Sequence, residues 1–472
     1  MRGRSAAFGY HLGLMSDRPR NSRIRVPHTW VLLFGLIVVA AIATWLVPAG
    51  MYERVDVSGR ALVDPTTYHR VEGEPAGVMD VLLAFPRGLV GAAAIVFFIF
   101  IIGGAFGVVE ETGAITAGID SVVRGVAGRG EVVIPLLMLV FAIGGGTIGM
   151  AEETLPFLPA LVVLARRLGY DEITGGAIAL VGAAAGFAGA FLNPFTVGVA
   201  QGIAGLPLFS GVAYRLVAWV TLTTIAILYV LRYARSIRNE PASDGAHAGS
   251  THDPAHLRAL QIPVLAVIIV AFAAVVVGAM RWGWGILELS GVFIAAAIAA
   301  GVAGRVGTDR TAQAFVKGAT SIAGGALVVG LARGVLVVLE DARVIDTILH
   351  GLAAAVATLP SWASITGIYG VQVLLNVLVP SGSGQAALSI PILAPLGDLV
   401  GVTRQTTVLA FQLGDGITNV FTPTQGYFMA GLAIIGVPWT AWARFIWRLI
   451  LLWLVAGLAL VLIAHARQWG PF

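Results

Sequence analysis

Long runs of apolar residues, separated by short polar stretches, follow one another from about residue 30 to the end of the chain. A membrane-crossing helix needs about 20 such residues, because the hydrocarbon core of a bilayer is about 30 Å thick. Nine runs approach or exceed that length, and we predict a crossing for each of them. They cover residues 30–47, 89–109, 173–204, 212–231, 262–280, 287–302, 319–339, 406–435 and 445–463. The pattern therefore predicts an all-α polytopic membrane protein.

Two further regions carry pairs of apolar arms that are individually too short to cross. In the first region the arms flank the stretch GGGTIGMAEET, and in the second they flank VPSGSGQAA. We predict that each pair forms a re-entrant hairpin, which enters and leaves the membrane on the same side. The hairpins cover about residues 133–166 and 365–400.

Polar residues interrupt two of the long runs at membrane depth. The run at 173–204 breaks near Asn193 and Pro194, and the run at 406–435 breaks within GDGITNVFTPTQG, residues 414–426. Hydrocarbon does not tolerate unpaired backbone amides and carbonyls, so such breaks must be buried in protein or line a wet cavity. We therefore interpret both runs as broken transmembrane helices.

The composition agrees with a surface that faces lipid. Of the 472 residues, 58% are hydrophobic and only 11% are charged, whereas soluble domains carry about 25% charged residues. The absence of cysteine excludes disulfides and thiolate metal sites. The net charge of +4 without a basic stripe gives no support to nucleic-acid binding. The expected partners are the lipid bilayer and a small-molecule substrate.

Lysine and arginine are distributed unequally between the two sets of loops. With the N-terminus in the cytoplasm, nineteen of them fall on the inner side and nine on the outer side, as the positive-inside rule requires. We expect a multi-pass protein of the plasma (inner) membrane of a bacterium, with a cytoplasmic N-terminal tail at 1–29. A cytoplasmic linker at 232–261 separates a first half, residues 30–231, from a second half, residues 262–472.

The same short motifs occur in both halves, separated by a nearly constant number of residues. The motif F-x-x-G at 85–88 recurs 230 residues later, and the proline of the first break recurs 229 residues later, at Pro423. The predicted crossings at 89–109 and 319–339 run in opposite directions, so we predict inverted-topology repeats, each with a hairpin and a broken helix. Paired interruptions in inverted halves are typical of the binding site of a secondary transporter.

Residues at the hairpin tips and the second break are candidates for binding a substrate. A tip exposes a helix N-terminus, whose free N–H groups and dipole favour a carboxylate. Acidic residues at depth are costly unless they bind an ammonium group, a proton or a cation. A static ion pair with Arg333 is the structural alternative for them. The predicted substrate-binding residues are Gly145, Gly146, Thr147, Glu152, Glu153, Ser381, Gly382, Ser383, Gly384, Gln385 and Asp415.

Side-chain oxygens surround the two breaks. Together with the carbonyls that a broken helix frees, they form an all-oxygen environment that suits a hard monovalent cation. The predicted coupling-ion residues are Asn193, Thr196, Thr418, Asn419, Thr422 and Thr424. The alternative is that these residues only satisfy the broken backbone. The choice between Na⁺ and H⁺ stays open, and no other cofactor or metal is predicted.

At the hairpins and the second break the sequence resembles a known family. The stretches GGGTIGMAEETLPF, VPSGSGQAALSIPILAPLGDLVGVTRQTTVLAFQLGDG and NVFTPTQG are similar to the YfcC-type branch of the DcuC family, in the ion transporter superfamily. The resemblance covers most of the chain after about Pro27. It implies an elevator-type homodimer, whose protomers each combine a scaffold domain with a mobile transport domain that contains both hairpins. It also implies four-carbon dicarboxylates, short-chain fatty acids or basic amino acids as substrates.

The leading interpretation is a secondary active transporter of a small carboxylate-bearing solute, in particular an amino acid, that is ion-coupled or exchanging. The alternative is a dicarboxylate or short-chain carboxylate carrier, which would need a second cationic group where the candidate sites offer only Arg333. A remote alternative is an intramembrane hydrolase with a tip serine as nucleophile. It would require a base within hydrogen-bond reach, and no histidine lies in the interruptions. We therefore predict no enzyme activity.

Overall fold

The computed structural model of the protein describes residues 29–57, 60–114, 117, 130–238, 261–282 and 284–470. Nearly all of the predicted N-terminal tail and most of the predicted linker lie outside these residues. Within them the chain is mostly helical, as the apolar pattern predicts. The helices of the first half are α1 (Thr29–Leu46), α2 (Val78–Gly91), α3 (Ala93–Glu111), α4 (Gly130–Ile148), α5 (Leu158–Arg167), α6 (Glu172–Ala188), α7 (Val199–Ile203) and α8 (Val212–Ile237).

The second half continues in the same way. Its helices are α9 (Gln261–Trp282), α10 (Ile286–Ala303), α11 (Thr308–Ser321), α12 (Ala323–Asp341), α13 (Ile345–Ala357), α14 (Ser361–Leu378), α15 (Gly382–Leu399), α16 (Arg404–Thr418), α17 (Gly426–Ile434) and α18 (Trp439–Ala466). The loop between α1 and α2 contains the strands β1 (Gly50–Met51), β2 (Arg54–Val57), β3 (Arg60–Val63) and β4 (His69–Arg70). β1 pairs with β4 and β2 with β3, both antiparallel.

Seven helices in the described part of the chain are long and apolar enough to cross a membrane, or eight if the bent pair α11–α12 forms one span. Five of the seven, namely α1, α3, α8, α10 and α18, coincide with predicted crossings. The other two are α4 and α14, which contain 19 and 18 residues. From the sequence we predict that these two are hairpin arms too short to cross, and that prediction of their length is wrong.

Close helix packing explains the extra length of α4. The glycine run that we interpret as a polar interruption stays helical and ends only at Ile148. A Cβ on Gly145 would lie 2.1 Å from the carbonyl oxygen of Ala183, and one on Gly146 would lie 2.7 Å from Nε1 of Trp219. These glycines therefore allow α4 to approach its neighbours closely instead of ending the helix.

Two helix–turn–helix units occupy the positions of the predicted hairpins. Hairpin 1 consists of α4, a turn at 149–151, a short 3₁₀ helix (Glu152–Phe157) and α5. Hairpin 2 consists of α14, a turn at 379–381 and α15. In each unit both arms pack on the following helix, α6 and α16 respectively. Their re-entry on one side of the membrane stays a prediction.

Both long runs are broken as predicted. α6 ends at Ala188, and after five irregular residues a π-helical turn (Pro194–Gly198) leads into α7. The second break begins later than predicted, because α16 continues to Thr418 before α17 starts. Gly414 and Gly416 therefore lie inside α16, where a Cβ would meet Gln372 at 2.6 Å and Ala188 at 2.5 Å respectively.

The helices form two packing groups. The hairpin bundle contains α4–α8, α13–α16 and α18, with α6 in contact with α16 at its centre. The flanking bundle contains α1–α3 and α9–α12, in which α2 packs on α12 and α3 packs on α11. α17 lies between the groups and contacts α3, α6 and α12. The second helix break therefore passes from one group towards the other.

The flanking bundle contains two reciprocal close contacts between the halves. A Cβ on Gly88 in α2 would lie 2.1 Å from the carbonyl oxygen of Gly330 in α12. A Cβ on Gly318 in α11 would lie 2.2 Å from the carbonyl oxygen of Gly103 in α3. Gly88 and Gly318 are the two glycines of the repeated F-x-x-G motif, so the motif marks equivalent contacts in the two halves.

The α1–α2 loop is anchored on the first turns of α13. The carboxylate of Asp346 accepts hydrogen bonds from the Tyr52 backbone N–H at 3.0 Å and from the Arg54 guanidinium at 2.9 and 3.0 Å. The Tyr52 hydroxyl lies 2.9 Å from Nδ1 of His350, whose ring stacks on Tyr68. Burial, followed by the Asp346 charge and Tyr68, raises the pKa of Tyr52 to about 12. The hydroxyl therefore keeps its proton at physiological pH.

We expect Asp346→Asn to lower the free energy of unfolding by about 1–3 kcal/mol, because it removes charge-assisted hydrogen bonds from a nearly fully buried carboxylate. The matched control is Asp398→Asn. That carboxylate pairs with Arg404 at 2.8 Å, but both side chains are 43% exposed, and such surface pairs contribute about 0–1 kcal/mol. Thermal unfolding in detergent compares the two variants. An equal loss in both would contradict the anchoring role of Asp346.

Candidate functional site

A cavity of about 620 Å³ lies where the turns of both hairpins, the residues flanking both helix breaks and the start of α10 meet. Its lining residues are Ala94, Gly149, Ala151, Glu152, Glu153, Phe187, Phe195, Thr196, Trp284, Gly285, Ile286, Leu287, Glu288, Leu289, Pro380, Ser381, Gly382, Ser383, Asn419, Gln425 and Tyr427. All four predicted interruptions therefore contribute to one cavity, at the boundary between the hairpin bundle and the flanking bundle.

The tip of hairpin 2 presents the N-terminus of α15 to this cavity. Ser381 caps the helix, because its Oγ accepts the backbone N–H of Gly384 at 3.3 Å. The first N–H groups of a helix have no intrahelical acceptor, and here they belong to Gly382 and Ser383, which line the cavity. These donors and the positive end of the helix dipole suit a carboxylate.

Gly382 is the point of contact between the halves at this tip. A Cβ on Gly382 would lie 2.5 Å from Cγ2 of Thr196, 3.2 Å from Oδ2 of Asp415 and 3.5 Å from Cζ of Phe187. The glycine therefore brings the tip of hairpin 2 against the first helix break and against Asp415 of α16. Two other residues predicted at this tip do not line the cavity. Gly384 lines a different cavity, and Gln385 is buried inside hairpin 2, where its Nε2 donates to Gln372.

The cavity-lining part of hairpin 1 begins a few residues later than predicted. Gly145, Gly146 and Thr147 lie in the last turns of α4 and are not among the residues that line the cavity. The cavity is lined instead by the turn at 149–151 and by the predicted Glu152 and Glu153. Glu153 is held in place there, because its Oε2 accepts the Ala151 backbone N–H at 3.0 Å.

The first break provides buried polar groups without partners. The Oδ1 of Asn193 caps the π-helical turn by accepting the N–H groups of Phe195 and Thr196 at 2.9 and 3.3 Å. Asn193 Nδ2 and Thr196 Oγ1 are buried and have no hydrogen-bond partner among the described residues. Thr196 lines the cavity, whereas Asn193 lies behind Gly149, where a Cβ would meet it at 2.7 Å.

The second break is braced by a side chain that sequence reasoning missed. Nδ2 of Asn376, in α14, approaches the Asp415 carbonyl at 2.7 Å, the Thr418 hydroxyl at 2.7 Å and Oδ1 of Asn419 at 2.9 Å. Thr422 and Thr424 bond each other at 2.9 Å, and Thr424 donates to the carbonyl of Val377 at 2.8 Å. Of the predicted ion-binding residues at this break, only Asn419 lines the cavity.

Asp415 is fully buried next to the cavity wall. Neither oxygen of its carboxylate has a hydrogen-bond donor in the described part of the protein. Asp415 does not form the static ion pair with Arg333 that is the structural alternative, because Arg333 instead pairs with Glu340 on its own helix at 3.2 Å. The helix places Gln412 one turn before Asp415, and its Oε1 is likewise buried without a partner.

The charged side chains that line the cavity are Glu152, Glu153 and Glu288. No lysine, arginine or histidine is found among the lining residues in the described ranges. Glu288 and Trp284 come from the start of α10, and sequence reasoning missed them as site residues. The cavity is therefore acidic, with helix N-terminal donors at one end.

The seven apolar helices of membrane-spanning length in the described part of the chain indicate a multi-pass membrane protein. The chain matches the family described as DcuC, C4-dicarboxylate anaerobic carrier, over residues 26–466, and it belongs to that family of transporters. This confirms the resemblance that the hairpin and break motifs indicate.

Individual relatives cover almost the whole chain. It is 34% identical to the "Putative basic amino acid antiporter YfcC" of Escherichia coli (strain K12), over 92% of this chain and 95% of that protein. It is 27% identical to an uncharacterized protein of Haemophilus influenzae (strain ATCC 51907 / DSM 11121 / KW20 / Rd), over 95% and 99%.

Two solved structures are also similar to the chain. The YdaH transporter of Alcanivorax borkumensis is 17% identical, with 94% of this chain and 99% of that chain covered and a TM-score of 0.43. MtrF of Neisseria gonorrhoeae is 16% identical, with 93% and 95% covered and a TM-score of 0.41.

Proposed function

We propose that the protein is a secondary transporter of small basic amino acids in the plasma (inner) membrane of a bacterium, with a cytoplasmic N-terminus. The acidic cavity carries this proposal. Glu152, Glu153 and Glu288 favour a substrate with more than one positive charge, and the N-terminus of α15 offers donors for its carboxylate. The name of the Escherichia coli relative agrees with this substrate class.

A dicarboxylate is the second candidate, because the family is described as a carrier of C4-dicarboxylates. A second carboxylate would need a cation in or beside the cavity. The described lining residues include none, and Arg333 is engaged by Glu340. The acidic lining of the cavity therefore favours a basic amino acid and disfavours a dicarboxylate.

We propose that transport follows an elevator mechanism in a homodimer of inverted-repeat protomers. The hairpin bundle is the mobile part and the flanking bundle is the scaffold. The reciprocal contacts of Gly88 and Gly318 support equivalent positions in the two halves. The position of the cavity at the boundary between the bundles supports relative movement, because such movement would change the wall that the substrate faces.

We propose that Asp415 binds the coupling ion, either H⁺ or Na⁺. Its carboxylate is buried without a donor among the described residues. Two more buried oxygens there lack a hydrogen-bond partner: that of Gln412, on the same helix as Asp415, and that of Thr196, on the first break, which like Asp415 lies beside Gly382. A buried charge requires compensation. Among the other predicted coupling-ion residues, Asn193 and Thr418 hold the two breaks in position. A hydrolase is disfavoured, because the Ser381 hydroxyl is engaged in capping α15 and no histidine lines the described cavity.

Counterflow in proteoliposomes tests the substrate class. We expect vesicles loaded with unlabelled lysine to accumulate labelled lysine and arginine but not labelled succinate. Glu152→Gln is expected to weaken the apparent affinity for lysine about tenfold, the effect of about 1.4 kcal/mol, because it removes one cavity charge. Glu110→Gln is the control, since that residue is exposed at the end of α3. Accumulation of succinate alone would refute the proposal.

A further inference from the structure

One wall of the cavity does not belong to the hairpin bundle. Residues 284–289, at the start of α10, line this wall, and α10 packs against α3, α9 and α11 of the flanking bundle. The opposite wall consists of the hairpin tips and residues beside the helix breaks. The cavity therefore has one acidic side chain, Glu288, on the flanking bundle and two, Glu152 and Glu153, on the hairpin bundle.

Glu288 is held in a defined position. It is the third residue of α10, and its Oε2 accepts the backbone N–H of Gly285 at 2.9 Å, so that it caps the helix. It forms no ion pair with a described residue. The side chain is exposed and lines the cavity together with Trp284, which lies four residues before it. A carboxylate and an aromatic ring that line the same cavity suit a cationic group.

A second observation indicates that a ligand binds in the cavity beside hairpin 2. Thr196 lines the wall opposite α10, is only 1% exposed, and its hydroxyl has no hydrogen-bond partner among the described residues. It contacts the tip of hairpin 2 at Gly382. A buried hydroxyl without a partner is costly, so a substrate carboxylate bound at this tip would satisfy it. The rest of the substrate would then extend towards α10.

We propose that Glu288 and Trp284 form a second cation subsite, which binds the side-chain cation of a basic amino acid. This inference rests on the proposed function and extends it to a specificity-determining residue. The α-ammonium group binds near Glu152 and Glu153, and the second cation reaches the flanking bundle. A neutral amino acid has no group for this subsite.

The subsite acts on one side of the membrane only. Because Glu288 belongs to the flanking bundle, it stays behind when the hairpin bundle moves relative to it. By the positive-inside orientation, the start of α10 faces the outside. Glu288 therefore increases the affinity for an external basic amino acid and contributes nothing to the affinity for an internal one.

The test uses Glu288→Gln, because glutamine still accepts the Gly285 N–H and keeps the helix cap while the charge is lost. In right-side-out vesicles we expect the KM for lysine to rise about tenfold, which corresponds to about 1.4 kcal/mol. In inside-out vesicles the KM is expected to stay unchanged. Glu72→Gln is the control, since it removes an exposed acid of the α1–α2 loop that is not part of the cavity lining. Trp284→Leu, a second variant, is expected to shift the external KM in the same direction.

Failure of this inference can be distinguished from failure of the proposed function. If the unmodified protein exchanges no basic amino acid, the proposed function fails and the subsite fails with it. If the unmodified protein exchanges lysine but Glu288→Gln leaves the external KM unchanged, the subsite is overturned and the function stands. An equal rise of the KM on both faces would also overturn it, because the one-sided contribution would be absent.

Discussion

Replacing Gly382 by valine is expected to weaken substrate binding strongly while the protein still folds. Any Cβ at this position would lie 2.5 Å from Cγ2 of Thr196 and 3.2 Å from Oδ2 of Asp415. The tip of hairpin 2 must therefore move away from the first helix break. Overpacking of this kind costs about 1–3 kcal/mol, which is about 5- to 150-fold in a dissociation constant. Stabilisation by lysine in thermal unfolding, and lysine counterflow, measure the loss.

The same hairpin offers a matched control for this variant. Gly370 lies in α14, and an added Cβ there would meet no atom within 4 Å. Gly370→Ala is therefore expected to leave binding unchanged and to stabilise the helix slightly, because alanine has the higher helix propensity. If Gly382→Val kept the affinity of the unmodified protein for lysine, the tip of hairpin 2 would not be part of the binding site.

The helices that face lipid could be predicted from sequence because their apolar runs are long and uninterrupted. α1, α3, α8, α10 and α18 follow this rule. Their surfaces must be apolar because they contact the hydrocarbon core of the bilayer, and this requirement does not depend on how the rest of the protein packs. The number of crossings was less predictable, because the helices near the cavity are broken or bent and no longer appear as single apolar runs.

Glycine-rich segments misled the prediction in a consistent way. From the sequence we interpret Gly145, Gly414 and Gly416 as interruptions, yet all three lie inside helices. Each one instead provides room for a neighbouring element, such as Ala188 of α6 beside Gly416. A glycine inside a helix costs about 1 kcal/mol of helix stability, which can be predicted from the local sequence. Whether that glycine allows close packing depends instead on a partner residue that is distant in sequence. Local pattern alone does not distinguish these roles.

The candidate site was predicted where its residues lie in interruptions and missed where they lie in regular helices. Ser381, Gly382 and Glu152 line the cavity as predicted. Sequence reasoning misses Asn376. Two polar residues one helical turn apart in an apolar arm, Gln372 and Asn376, would have indicated a polar face on that arm. Glu288 was missed because it belongs to the flanking bundle, and only the tertiary fold brings it to the hairpins.

Asp415→Asn is expected to remove coupled transport and to leave the stability of the protein unchanged or slightly increased. The carboxylate is fully buried without a donor in the described part of the chain. Neutralising a buried, unpaired charge removes its desolvation cost. If Asp415 instead formed a buried ion pair, the same substitution would cost about 3–5 kcal/mol. The direction of the stability change therefore separates a functional carboxylate from a structural one.

Transport measurements then identify the ion. The rate of lysine uptake by the unmodified protein is expected to depend either on Na⁺ or on pH, and Asp415→Asn is expected to abolish that dependence. Asp398→Asn is the control, because its carboxylate is exposed in an ion pair with Arg404. Arg333→Gln is not expected to rescue the variant, since Arg333 pairs with Glu340. Rescue of both folding and transport by that second change would instead make Asp415 a structural partner of Arg333, because only a shared ion pair couples the two substitutions.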